Sequence, residues 1–139
     1  MDIHWERLNW LAILVCVVVG QAFLTVWFSA LFGRPWARAY GVDDTKRHTQ
    51  EIPGYTYAIG LACTLLVTVG LAILQAGLGV KTAGAGLVFG FFVAVHFCVA
   101  TAVPGYAFLK RWNAAVLAVG SQAVLILSLS LILAVWQKS

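Results

Sequence analysis

Charge is scarce in this sequence. Of 139 residues, 10% are Asp, Glu, Lys or Arg and 62% are hydrophobic. Soluble domains are nearer a quarter charged and under half apolar. A water-soluble fold of this length has no interior large enough for so much apolar surface. Lipid must therefore solvate most of the chain, and a single membrane domain, residues 1–139, is expected. Basic residues are few and scattered between apolar segments. The net charge of +4 thus marks membrane flanks and gives no reason to expect a nucleic-acid partner.

Cysteine is rare too. Cys16, Cys63 and Cys98 lie inside apolar segments at no metal-ligand spacing, and read as small packing residues. No charged residue lies inside the apolar segments, although ion-coupled transporters usually carry one there. Nor does a carboxylate pair or a nucleophile–base pair occur at membrane depth, so the sequence gives no catalytic residue. In the polar loop, Asp43, Asp44, His48 and Glu51 form an acidic and imidazole cluster. Lys46 and Arg47 interleave with it, and Asp43 or Asp44 reads better as a helix N-cap than as a metal ligand.

What the sequence does hold is four charge-free stretches, Leu8 to Gly33, Ile52 to Val80, Thr82 to Leu109 and Trp112 to Gln137. Even the shortest reaches about 39 Å as a helix, enough for a hydrocarbon core of about 30 Å. Backbone groups in lipid must bond within their own segment, which selects helices, and the short alternating segments of a barrel are missing. The expected fold is an all-α integral membrane protein, four transmembrane helices in an up-down bundle. Spans are placed at about 8–33, 55–79, 82–108 and 112–136, with a loop at 34–54. Asp2 and Glu6 precede the first stretch, which is too long for a signal peptide and reads as an uncleaved helix.

Arg34, Arg38, Lys46, Arg47, Lys110 and Arg111 lie on one side of these spans; Arg7, Lys81 and Lys138 lie on the other. Six against three puts the 34–54 loop in the cytoplasm and both termini outside, in a cell inner membrane. Trp5, Trp10, Trp27, Trp36, Tyr55, Tyr57, Tyr106, Trp112 and Trp136 mark headgroup levels. In the loop, Pro35 starts a short helix that Gly41 ends, and Pro53-Gly54 breaks the chain before the second span. The connections around Gly79 and around Lys110 are short, so spans two and three, and three and four, are expected as antiparallel hairpins.

Two features bear on partners. Gly86, Gly90, Ala94, Cys98 and Ala102 recur every four residues on the third span. Such a stripe predicts a helix–helix contact, inside the bundle or between subunits. The second is a polar layer at mid-membrane: Gln21, Thr64, Thr68, His96 and Gln122. Such side chains normally face protein or a cavity. The plain reading is interhelical hydrogen bonding, each worth about 1 kcal/mol or less. The sharper one centres on His96, which lies opposite the small-residue stripe beside Phe89, Phe92, Val99 and Val103. An imidazole can pass protons or ligate a metal, haem or chlorophyll. A single histidine without a second ligand leaves the cofactor unknown.

The segments Asn9-Trp10-Leu11-Ala12-Ile13-Leu14-Val15, Trp27-Phe28-Ser29, Phe32-Gly33-Arg34-Pro35-Trp36 and Arg38-Ala39-Tyr40-Gly41 occur in that order. Together with Tyr106-Ala107-Phe108-Leu109-Lys110-Arg111, they resemble the membrane family known as domain of unknown function 1761. The resemblance implies a bacterial membrane protein of about this size and no activity; its motifs take in the cytoplasmic-loop residues Arg34, Trp36 and Arg38.

Two roles are open to such a chain. The first is a non-enzymatic assembly or accessory subunit, self-associated or joined to other membrane subunits through small-residue helix faces. The second is an oligomeric small-solute or ion conduit lined by the polar layer around His96. The charge asymmetry makes the topology testable. Alkaline phosphatase, which is active only outside the cytoplasm, is expected to be active when fused to the C-terminus and inactive when inserted in the 34–54 loop; the reverse pattern inverts the layout.

Overall fold

The computed structural model describes residues 3–137. Asp2, which bears on the first segment, and Lys138, which bears on the charge balance, lie outside them. All regular structure among the described residues is helical. Helix α1 runs Trp10–Leu31, and two short helices come next, α2 over Gly33–Tyr40 and α3 over Thr45–Glu51. Helices α4 (Gly54–Leu78), α5 (Ala83–Phe108) and α6 (Trp112–Val135) complete the chain. Helices α1, α4, α5 and α6 are each long and apolar enough to cross a bilayer.

Local chemistry sets the ends. Asn9 caps α1, its Oδ1 accepting from the Ala12 amide at 3.2 Å. The Asn9 Nδ2 donates to the Trp136 carbonyl at 2.8 Å, which ties the start of α1 to the end of α6. Helix α2 begins at Gly33 and takes Pro35 within its first turn, where a missing N–H leaves no intrahelical bond unmade. Gly41, at φ 71°, closes it in the left-handed conformation, and Gly79, at φ 67°, does the same for α4. Asp44 caps α3 by accepting from the Arg47 amide at 3.1 Å, and Thr82 caps α5 at 3.2 Å from the Ala85 amide.

Helix α6 is the hub. It packs along α1, α4 and α5, and 44% of its apolar window is buried, against 22–28% for the other three. Its inward positions are mostly small or aliphatic: Ala114, Ala115, Ser121, Leu125, Leu129, Ser130, Leu133 and Ala134. Helix α5 makes its extensive packing with α6. Spans α4 and α5 are joined by the short turn expected there, but their main packing is with other spans. The hairpin of α5 and α6 is packed along its length. The reason lies in which face is small. The stripe of α5 presents Gly86, Gly90 and Ala94 to α6, all three buried. A connection holds ends together, but surface complementarity decides the neighbour.

The contact is very close. A Cβ on Gly86 would lie 2.5 Å from the Ala134 Cβ and 2.9 Å from the Ser130 carbonyl oxygen. On Gly90 it would lie 2.8 Å from the Ser130 Cβ. Beyond Ala94 the stripe is less deeply buried. A π-helical turn over Ala94–Val99 adds a residue to the turn and rotates the remainder of α5, so that four-residue spacing no longer holds one face. Cys98 and Ala102 are only half-buried.

Gly86→Ala and Gly90→Ala are each expected to lower stability by about 1–3 kcal/mol through overpacking. Gly84→Ala, where nothing lies within 4 Å of the new Cβ, is expected to be neutral or stabilising. Unfolding midpoints in detergent check the contrast; equal effects at 84 and 86 would refute the α5–α6 contact.

Candidate functional site

The polar side chains at mid-span separate into two groups. On α1 and α4, the Gln21 Nε2 donates to the Thr64 Oγ1 at 2.6 Å and lies 3.3 Å from the Gly60 carbonyl oxygen. Thr64 and Thr68 are buried, and each hydroxyl donates to a carbonyl one turn back, at 3.1 Å to Gly60 and 2.7 Å to Thr64. Close by, a Cβ on Gly20 would lie 3.0 Å from the Thr64 Cγ2 and 3.2 Å from the Leu125 Cδ1, so α1, α4 and α6 meet around Gly20. These groups form a hydrogen-bonded network at the α1–α4 contact.

His96 and Gln122 are elsewhere. His96 is exposed on the face of α5 turned away from α6. Its Nδ1 lies 3.0 Å from the Phe92 carbonyl oxygen, and its ring stacks on Phe92 with centroids 4.3 Å apart. It sits within the π-helical turn, and no second partner meets the imidazole among the described residues. Gln122 is exposed on α6 at the floor of an apolar groove of about 440 Å³ between α4 and α5. The groove walls include Val67, Gly70 and Leu74 from α4, with Val93 and Phe97 from α5. It exists because α5 docks mainly on α6. The mid-membrane layer is thus a matter of depth and not of common direction. Residues sharing a level on four helices share a face only if each helix is rotated suitably, and rotation is set by packing.

One buried polar residue escapes sequence reasoning. Gln75 is fully buried on α4, and its Nε2 donates to the Ser130 carbonyl on α6 at 2.9 Å. Its Oε1 and the Ser130 Oγ, also buried, have no partner among the described residues. A glutamine this close to the end of an apolar span reads as an interfacial residue. The available signal is its place one turn after Leu71 and Ala72, on the side of α4 that also carries Thr64 and Thr68.

At the loop end of the bundle, Trp36 packs beside Phe28, Tyr40 and His48, with ring centroids 5.7–6.4 Å apart. Arg34 and Arg38 are exposed on either side of the half-buried Trp36. The Tyr40 and Tyr106 hydroxyls lie 3.2 Å apart, joining α2 to the end of α5. Burial, then the hydrogen bond to Tyr106, pushes the Tyr40 hydroxyl pKa up to about 12, with Arg111 opposing. The loop cluster has other employment. Asp44 caps α3, Glu51 accepts from the Arg47 Nε at 2.9 Å, and His48 stacks near Trp36. Among the described residues no three of His, Cys, Asp and Glu converge as a metal site.

The Protein of unknown function (DUF1761) family matches residues 11–134. The chain belongs to the DUF1761 family. No curated protein and no solved structure matches it. The DUF1761 match takes in the four spans but for their outermost residues Trp10 and Val135, with the Gln21–Thr64 network, Gln75, His96, Gln122 and the Trp36 cluster. It leaves outside the helical turn at Trp5–Arg7.

The Gln21–Thr64 contact makes a measurable prediction for this DUF1761 chain. Gln21→Leu and Thr64→Val are expected to couple by about 0.6–1.7 kcal/mol in a double-mutant unfolding cycle. A coupling indistinguishable from zero would remove this pair from the interactions that fix α1 against α4.

Proposed function

We propose that the protein is a non-enzymatic subunit of a membrane assembly in the cytoplasmic (inner) membrane, joined to its neighbours through the outward face of α5. The single observation behind this reading is His96. An imidazole exposed at the middle of a 26-residue span faces hydrocarbon in the isolated chain. Nδ1 is served by the Phe92 carbonyl, so Nε2 is the atom that wants a partner. Leaving it unpaired in lipid costs about 1–3 kcal/mol, which a polar group on an adjoining subunit recovers. Phe92, stacked on it, and Phe97, next to Phe92, are exposed aromatic surface suited to burial against another helix.

The glycine stripe does not supply that interface, because Gly86 and Gly90 are already filled by α6. A conduit lined by the mid-membrane layer is less well supported. Gln21, Thr64 and Thr68 hydrogen-bond within the α1–α4 contact, while His96 and Gln122 face outward from different helices.

Gentle solubilisation followed by mass measurement tests the proposal. The wild-type protein is expected in a particle heavier than one 15.0 kDa chain, and His96→Phe is expected to release the single chain while keeping its helicity. A wild type that runs as one chain alone, or a His96→Phe variant that stays fully assembled, overturns it.

A further inference from the structure

At the end of the bundle that carries both termini, the segment before α1 folds over the last turns of α4. The two enclose a cavity of about 540 Å³. Its floor is apolar, built by Leu8 on one side and Ile73, Leu74 and Leu78 on the other. Its rim carries His4 and Arg7. The helical turn Trp5–Arg7 places Arg7 there, and the buried Leu8 pins the segment to the bundle. Glu6, the nearby acid, is engaged by the His4 Nδ1 at 2.9 Å, and Arg7 pairs with no carboxylate among the described residues.

Depth defines what can enter. Trp5 and Trp10 stack with centroids 6.4 Å apart beside this cavity, both exposed, as rings at the headgroup level do. Lys81 comes within three residues of the end of α4, so the cavity opens where hydrocarbon gives way to headgroups. A guanidinium above an aliphatic floor at that depth matches one class of molecule. The fork suits a phosphate oxygen pair, and the floor suits an acyl chain.

We propose that this cavity binds an anionic phospholipid of the surrounding leaflet, its phosphate on Arg7 and one acyl chain along Leu74 and Leu78. The lipid seals the joint between the segment before α1 and α4. Gly77 lies on the cavity wall with nothing within 4 Å of a Cβ position, which gives the chain room to enter.

Native mass spectrometry of the full chain with added dioleoyl-phosphatidylglycerol or dioleoyl-phosphatidylcholine tests this. Wild type is expected to retain the glycerol lipid about fivefold better, the worth of one interfacial cation. Arg7→Gln is expected to erase that preference, Gly77→Leu to abolish retention of both lipids by filling the cavity, and Lys81→Gln to change little. Excess inorganic phosphate is expected not to displace the lipid. Unchanged retention in Arg7→Gln or Gly77→Leu overturns the proposal. So does a loss in Lys81→Gln as large as that in Arg7→Gln, or displacement by phosphate alone. Thermal midpoints of the variants, monitored by tryptophan fluorescence, separate lost binding from lost fold.

Discussion

The approach of α5 to α6 at Gly86 and Gly90 is the contact on which the rest of the arrangement depends. In lipid there is no hydrophobic drive between helices, because acyl chains are as apolar as leucine. Helices stay together where backbones come close enough for dense van der Waals contact and where a few polar groups bridge them. Two glycines facing Ser130 and Ala134 allow that approach. Since the extensive packing of α5 is with α6, this seam is the main hold on its first half. The same logic runs through α6, whose small residues at 114, 115, 121, 130 and 134 let three helices gather around one.

With α5 committed to α6, the surface is shaped in two ways. The gap left between α4 and α5 becomes an apolar groove with Gln122 at its floor. The face of α5 that carries His96 and Phe92 is exposed. The π-helical turn adds to this. It begins at Ala94, the last buried residue of the small-residue stripe, and sets the backbone around His96 apart from a regular helix, a feature frequent at functional sites. Pro104, further along α5, takes away one more intrahelical donor, and no residue beyond the turn is buried. The half of α5 nearer the loops is thus held less firmly than the glycine half.

Both ends of the bundle are fastened by side chains that reach across the chain. Asn9 joins α1 to the end of α6, the indole of Trp27 donates to the Leu117 carbonyl at 3.2 Å, and Tyr40 meets Tyr106. These links place the Trp36 cluster against one end and the segment before α1 against the other, so each end has its own chemistry. One end is aromatic with arginines beside it. The other is an aliphatic cavity with a single guanidinium at the rim.

The number of spans, their helical type, a cap at Asp43 or Asp44, the helix end at Gly41 and the break at Pro53-Gly54 come from the sequence alone; the structure puts the cap at Asp44. Scarcity of charge over long stretches and the rules for helix ends act locally, and need no knowledge of neighbours. The four-residue stripe on α5 pointed to a contact without saying whether it lay inside the chain; in the structure Gly86, Gly90 and Ala94 are buried while Cys98 and Ala102 are half-buried. Three matters were decided only by tertiary structure: that the stripe is spent on α6, that Gln75 is buried against Ser130, and that His96 and Gln122 point away from the Gln21–Thr64 pair. Each depends on how far one helix is rotated about its axis against another. Nearly uniform apolarity around the spans gives little sign of that rotation; close packing at a few small residues sets it.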